Sequence, residues 1–143
     1  MRHILLNIVI LFFVSAVSGQ EILTDRIDDS RIKTVRLYRE GWNLSNPLIQ
    51  LGKDEKLALH FDLLGDHDEA FSYRFIHCDK DWRKSDIFET DYAEGFPENP
   101  VEDISPSFNT TVKYTHYSII FPNDRIKLRI SGNYVIAVYR PDN

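Results

Sequence analysis

The chain has 143 residues, 43% of them hydrophobic and 27% charged, with 17 Lys and Arg against 22 Asp and Glu and a net charge of −5. Such a length suits one domain with a sizeable core. A single cysteine, Cys78, excludes an intrachain disulfide, and net acidity argues against nucleic acid or an anionic membrane surface as the partner.

Residues 1–19 read as a secretory signal peptide. Arg2 and His3 give a short basic start, Ile4 to Val14 is apolar except for Asn7, and Ser15-Ala16-Val17-Ser18-Gly19 supplies the small residues of a cleavage site. The apolar run is about half of what a spanning helix requires, so an uncleaved anchor is the weaker reading. No Cys follows the cleavage region, which leaves no lipid attachment site. The mature chain is expected to be exported and soluble, with 16 Lys and Arg against 22 Asp and Glu, a net of −6.

Residues 20–32 are a polar lead-in. From Lys33 to Arg39, Val35 and Leu37 alternate with basic and polar neighbours and predict a first strand, and the short apolar run Pro47 to Leu51 predicts a second. Lys56 to Leu64 alternates cleanly, with Leu57, Leu59, Phe61 and Leu63 on one side. Gly65-Asp66-His67-Asp68 is a turn signal and Phe71 to Cys78 the next strand, so these two runs read as a hairpin.

Between Asp79 and Ser107 lie nine acidic residues against three basic ones, with Pro97, Pro100 and Pro106. The segment reads as a solvated acidic loop region, with a helical turn or two within Ser85 to Glu94; long connections of this kind are often functional. Ser107 to Tyr139 then holds three strand-like runs separated by Pro122-Asn123-Asp124 and Ser131-Gly132-Asn133. In the middle run Ile126, Leu128 and Ile130 alternate with Arg125, Lys127 and Arg129, the signature of an antiparallel strand with one wet face. The last strand is apolar on both faces: Val135, Ala137 and Tyr139 on one, Tyr134, Ile136 and Val138 on the other. It is expected to be interior and covered on both sides. Because the sequence stops directly after it, the reading frame is expected to continue beyond Asn143.

About seven strands at intervals of about ten residues, without a long helical period, predict an all-β, antiparallel immunoglobulin-like β-sandwich over residues 33–140. Trp82, following a central strand, could seal one end of its core.

Ligand-type side chains occur in His77-Cys78-Asp79 with Asp81 and in Asp66-His67-Asp68-Glu69. Neighbours on a strand point to opposite faces, so His77 and Cys78 cannot serve one metal without a bend. There is no CxxC pair, HExxH or DxDxDG loop. Cys78 with His116 carries no local mark of an activated nucleophile, and a carboxylate pair at glycosidase spacing among nine acidic residues is expected by chance. No catalytic, cofactor or metal site is expected. Carbohydrate stacking on Trp42, Trp82, Tyr92, Tyr114 or Tyr117 competes with a core role for the same rings. Asn43-Leu44-Ser45 and Asn109-Thr110-Thr111 are glycosylation sequons. Arg125, Lys127 and Arg129 are the candidate partner-interface residues: the acidic segment folds back on this row, or each meets a separate partner.

The order of several short motifs adds a family resemblance. Tyr73-Arg74-Phe75-Ile76-His77-Cys78-Asp79 with Asp81-Trp82, Ser85-Asp86 through Asp91-Tyr92 and Gly95-Phe96, Ser107 with Asn109-Thr110, Tyr114-Thr115-His116-Tyr117, Phe121-Pro122-Asn123 and Ser131-Gly132-Asn133-Tyr134 together resemble the first domain of the type IX secretion system plug protein family. The resemblance runs from about Ile27 to Tyr139. It implies a non-enzymatic, exported periplasmic protein associated with the very large outer-membrane barrel of the translocon, whose periplasmic mouth such proteins occlude. Family members are longer than this chain, and the resemblance brings no catalytic residues. The competing expectation is an exported carbohydrate- or peptide-binding module of a larger surface protein.

Overall fold

A computed structural model describes residues 21–141; the expected signal peptide, residues 1–19, lies outside them. In chain order the elements are β1 (Ile32–Arg39), β2 (Leu57–Leu64), β3 (Ser72–Cys78), the single turn α1 (Glu89–Tyr92), β4 (Ala93–Gly95), β5 (Asn99–Pro100), β6 (Asp103–Pro106), β7 (Tyr114–Phe121), β8 (Ile126–Leu128) and β9 (Asn133–Tyr139). Strands β1-β2-β7-β6 form one sheet, β5-β3-β9 a second, and β4 pairs with β8 in a two-stranded ribbon. Every pairing is antiparallel. The expected all-β antiparallel class is thus the observed one.

Period-two patterning explains the core. Leu57, Leu59, Phe61 and Leu63 of β2 lie beside Tyr117, Ile119 and Phe121 of β7, with Leu57 opposite Phe121 and Phe61 opposite Tyr117. Tyr73 and Phe75 of β3 close over them from the second sheet, and all of these side chains are buried in one cluster. Alternate residues of a strand share a face, so two such sheets can bury only one row of each strand against each other. The aromatic contacts lock the register. Phe61 and Tyr117 stack with centroids 4.9 Å apart, and Phe71 meets both rings edge-on.

Five expectations need correction. First, β2 and β3 are not a hairpin, because β2 pairs with β1 and β7 whereas β3 pairs with β5 and β9. A hairpin would set Phe61 beside Tyr73 in one sheet; crossing to the opposite sheet instead lets the two apolar rows face each other. Second, Pro47 to Leu51 is not a strand. Its backbone goes into turns (Leu48 N–H to Asn46 C=O, Lys53 N–H to Gln50 C=O), and only Ile49 reaches the core cluster. Third, the acidic stretch is no bare loop, since it supplies α1, β4, β5 and β6, one short strand to each of the three sheets. Fourth, β9 is not interior: among the described residues it pairs only with β3. Its Tyr134, Ile136 and Val138 pack against the core, yet both rows of the strand are only half-buried. Fifth, Trp82 does not seal the core. It stands largely exposed in a turn with a positive φ of 59°, where its carbonyl accepts the Leu23 N–H and helps tie down the lead-in.

Candidate functional site

The basic row on β8 is positioned by the turn before it. The Asn123 side-chain carbonyl accepts the N–H groups of Arg125 (2.9 Å) and Ile126 (3.2 Å), while its amide donates to Tyr73 Oη and the Ile120 carbonyl. Asn in such a turn substitutes for backbone partners, which is why Pro-Asn-Asp is an effective turn signal. Ile126 is thereby aimed into the core, and Arg125 and Lys127 outward.

Opposite this row lies the acidic segment itself. Ribbon register places Glu94 across from Lys127 and Gly95 across from Ile126. Arg125 pairs with Glu102 at 2.5 Å and Arg129 with Glu94 at 3.5 Å, and Arg129 also donates to the Thr90 carbonyl. Of the two arrangements open to the sequence, folding back is the one observed. Both pairs are well exposed, so each contributes about 0–1 kcal/mol and orients more than it stabilises. The ribbon closes tightly at Gly95, whose φ is +121°; a Cβ there would lie 2.0 Å from the Arg125 carbonyl oxygen. Beside the ribbon a shallow cleft of about 310 Å³ is lined by Tyr73, Val101, Glu102, Asp103, Asp124 and Arg125, among others.

The ligand-type residues disperse. His77 turns inward against the rings of Tyr92 and Tyr134 and hydrogen-bonds Ser85 Oγ at 2.8 Å. Cys78 turns the other way and is buried, and its thiol pKa is raised by that burial and by Asp79. Asp79 accepts the backbone N–H groups of Asp81 and Arg83, which hold its carboxyl below the usual range. Among the described residues no group of three or more His, Cys, Asp or Glu converges as a metal set. Tyr92 and Tyr117 are core rings and Tyr114 is half-buried, whereas Trp42 is exposed, as are both sequon residues Asn43 and Asn109. Burial pushes the Tyr134 hydroxyl up to about 12.

Two constellations escape sequence reading because their members are far apart in the chain. Asp29, Arg31, Glu69 and Arg140 form an ion-pair ring at one end of the sandwich. Arg31 reaches both carboxylates (2.8 and 2.7 Å), and Arg140 closes the ring to Asp29 (2.6 Å) and Glu69. Hydrogen bonds from Arg31, and then from Arg140, hold the Asp29 and Glu69 carboxyls well below their ordinary range. On the outer face of the four-stranded sheet, His60 Nδ1 lies 3.1 Å from His116 Nε2, and His116 Nδ1 lies 2.7 Å from Asp62. Tyr38 stacks on His60. Burial, and then the neighbouring His116, lowers the His60 pKa.

The fold therefore defines the class: an all-β antiparallel sandwich domain whose short acidic strands are stitched to both sheets and to a basic ribbon. The family described as type 9 secretion system plug protein 1st domain matches residues 32–143. The chain belongs to this family. It is also similar to a hypothetical protein from Parabacteroides merdae ATCC 43184, known from a crystal structure at 2.30 Å resolution, with a TM-score of 0.78 and 35% identity. That likeness covers 80% of this chain and 29% of the other, so the chain spans less than a third of the solved protein's length. No curated protein matches the chain.

Proposed function

We propose that this domain is a non-enzymatic, exported component of the type IX protein secretion system. It forms the N-terminal domain of the periplasmic plug that occludes the mouth of the outer-membrane translocon barrel. The observation that carries this reading is the family match across the whole sandwich, residues 32–143. A non-catalytic role is supported by the dispersal of the reactive side chains: Cys78 is buried with its thiol pKa raised, and His116 is engaged by Asp62 and His60. Mechanically, a sandwich with an interlocked aromatic core resists deformation, because close-packed interiors have low compressibility. That property suits a stopper held against a pore.

The test is affinity purification of the full-length exported protein from detergent-solubilised outer membrane at low salt. Recovery of a very large barrel protein is expected. Its absence, with the bait intact and folded, overturns the assignment.

A further inference from the structure

The outer face of the four-stranded sheet carries a cluster of titratable side chains that the plug reading does not use. His60 of β2 stands opposite Ser118 of β7, and Asp62 opposite His116, so the two histidines are diagonal neighbours across one strand pair. Diagonal positions on a shared face are within reach of aromatic side chains. Here His60 Nδ1 lies 3.1 Å from His116 Nε2, and His116 Nδ1 lies 2.7 Å from the Asp62 carboxylate.

What each group is able to donate or accept fixes the protons of this relay. A carboxylate only accepts, so His116 carries its proton on Nδ1 and keeps a lone pair on Nε2. That lone pair accepts from His60, which therefore carries its own proton on Nδ1. The gap between the two rings holds one proton. An added proton is tolerated on the far Nε2 of His60, because the ring goes on donating through Nδ1. A further one puts N–H groups on both facing nitrogens, leaves neither with a lone pair to offer, and sets two cations side by side.

The neighbouring strands set the terms on which protons enter. From β1, Arg36 stands opposite His60 and Lys33 opposite Asp62, and the Tyr38 ring stacks on His60 at 5.2 Å. From β6, Asp103 stands opposite Ser118. Burial is the largest influence on the His60 charge and opposes it. His116 and Arg36 oppose it too, while Asp103 and Asp62 favour it. Lys33 and Arg36 balance Asp62 and Asp103, so this patch is uncharged with neutral histidines and carries +2 when both are protonated.

We propose that the His60–His116–Asp62 relay is a proton-operated switch built into this face. It is closed and uncharged at neutrality; in mild acid the doubly protonated pair loses its cross-strand bond and turns the face cationic. The relay geometry carries this inference, which is independent of the plug reading. The sign of the pH dependence follows from His60, whose pKa lies below its ordinary value of 6.5. Stability tied to the closed relay is complete above 6.5 and is lost as pH falls through the folded-state value. Its loss begins at a higher pH than that of the Asp29 and Glu69 ring, whose carboxyls are held below 3.8 and 4.5.

The test takes the exported chain, isotope-labelled at histidine, with two variants. His60→Gln keeps a side-chain N–H to donate but takes up no proton; His116→Gln serves, with it, to assign the two rings. Proton–nitrogen correlation spectra at pH 7 should show the Nδ1–H tautomer on both rings. Urea unfolding should show the folding equilibrium constant of the unaltered chain falling severalfold from pH 7 to pH 5, and that of His60→Gln falling much less. An Nε2–H tautomer on either ring at pH 7 overturns the relay, and this readout needs no variant beyond the assignment. An equal fall in the unaltered chain and in His60→Gln, or no fall in the unaltered chain, overturns the switch.

Discussion

Replacing Gly95 by Ala tests the tightness of the β4–β8 ribbon. Two costs combine at this position. A φ of +121° is one that L side chains rarely adopt, and holding such a conformation costs about 1–3 kcal/mol. The added Cβ would also lie 2.0 Å from the Arg125 carbonyl oxygen and 2.8 Å from its carbon. The oxygen belongs to the backbone and cannot rotate away, so the strands must part by more than an ångström. That separation breaks the hydrogen bond from Phe96 N–H to the Arg125 carbonyl, now 3.0 Å, adding about 1 kcal/mol. A total near 3 kcal/mol follows, which for a domain of this size lowers Tm by about 10–15 °C. Gly52→Ala is the control, because Gly52 has a φ of +77° with nothing within 4 Å of the added carbon and meets only the backbone cost. Urea and thermal unfolding of both variants measure the difference. If Gly95→Ala is no more destabilising than Gly52→Ala, the close approach of the ribbon strands is wrong.

Three further outcomes follow from the same structure. Tyr117→Phe keeps the stack on Phe61 but removes the hydroxyl that accepts the Glu69 N–H at 2.8 Å and donates to the Glu69 carbonyl at 2.9 Å. Stranding these groups should cost about 2 kcal/mol, and thermal unfolding unchanged within error contradicts it. Asp29 and Glu69 are held below their ordinary values of 3.8 and 4.5, so the stability they contribute is complete above those values and is lost as pH falls through the folded-state pKa values. Arg140→Met should therefore destabilise at pH 7 and matter progressively less in acid; urea titrations showing an equal deficit at pH 7 and pH 3 would refute the ion-pair ring. Reversing Lys127 and Arg129 to Glu sets like charges beside Glu94 and should weaken assembly at low salt with at most about 1 kcal/mol lost from folding. Unchanged binding with unchanged salt dependence removes the β8 row from any orienting role.

The deep core was legible from residue order alone because period-two alternation is a local property. Leu57 to Leu63 and Ile126 to Leu128 declare their inward faces without knowledge of any partner. The acidic segment was legible in charge but not in form, since strands of two to four residues have too few alternations to register as a pattern. The β8 basic row could be picked out by its spacing. Its neutralisation by Glu94 and Glu102 could not, because sequence does not say which of nine carboxylates will come to lie across from it.

By itself, then, the amino-acid sequence determined the all-β class, the inward rows of β2 and β8, and a motif order resembling the plug family. These depend on local steric preference and on hydrophobic alternation, both carried by neighbouring residues. Tertiary structure decided which strands share a sheet, that the β2–β3 connection crosses between sheets, and that Asp29 meets Arg140, 111 residues further along the chain. It also decided that Leu48 faces outward although the apolar run Pro47 to Leu51 promised a strand. Each of these is a choice among long-range pairings, and it is settled by which arrangement buries the most apolar surface while leaving the fewest backbone groups without a partner.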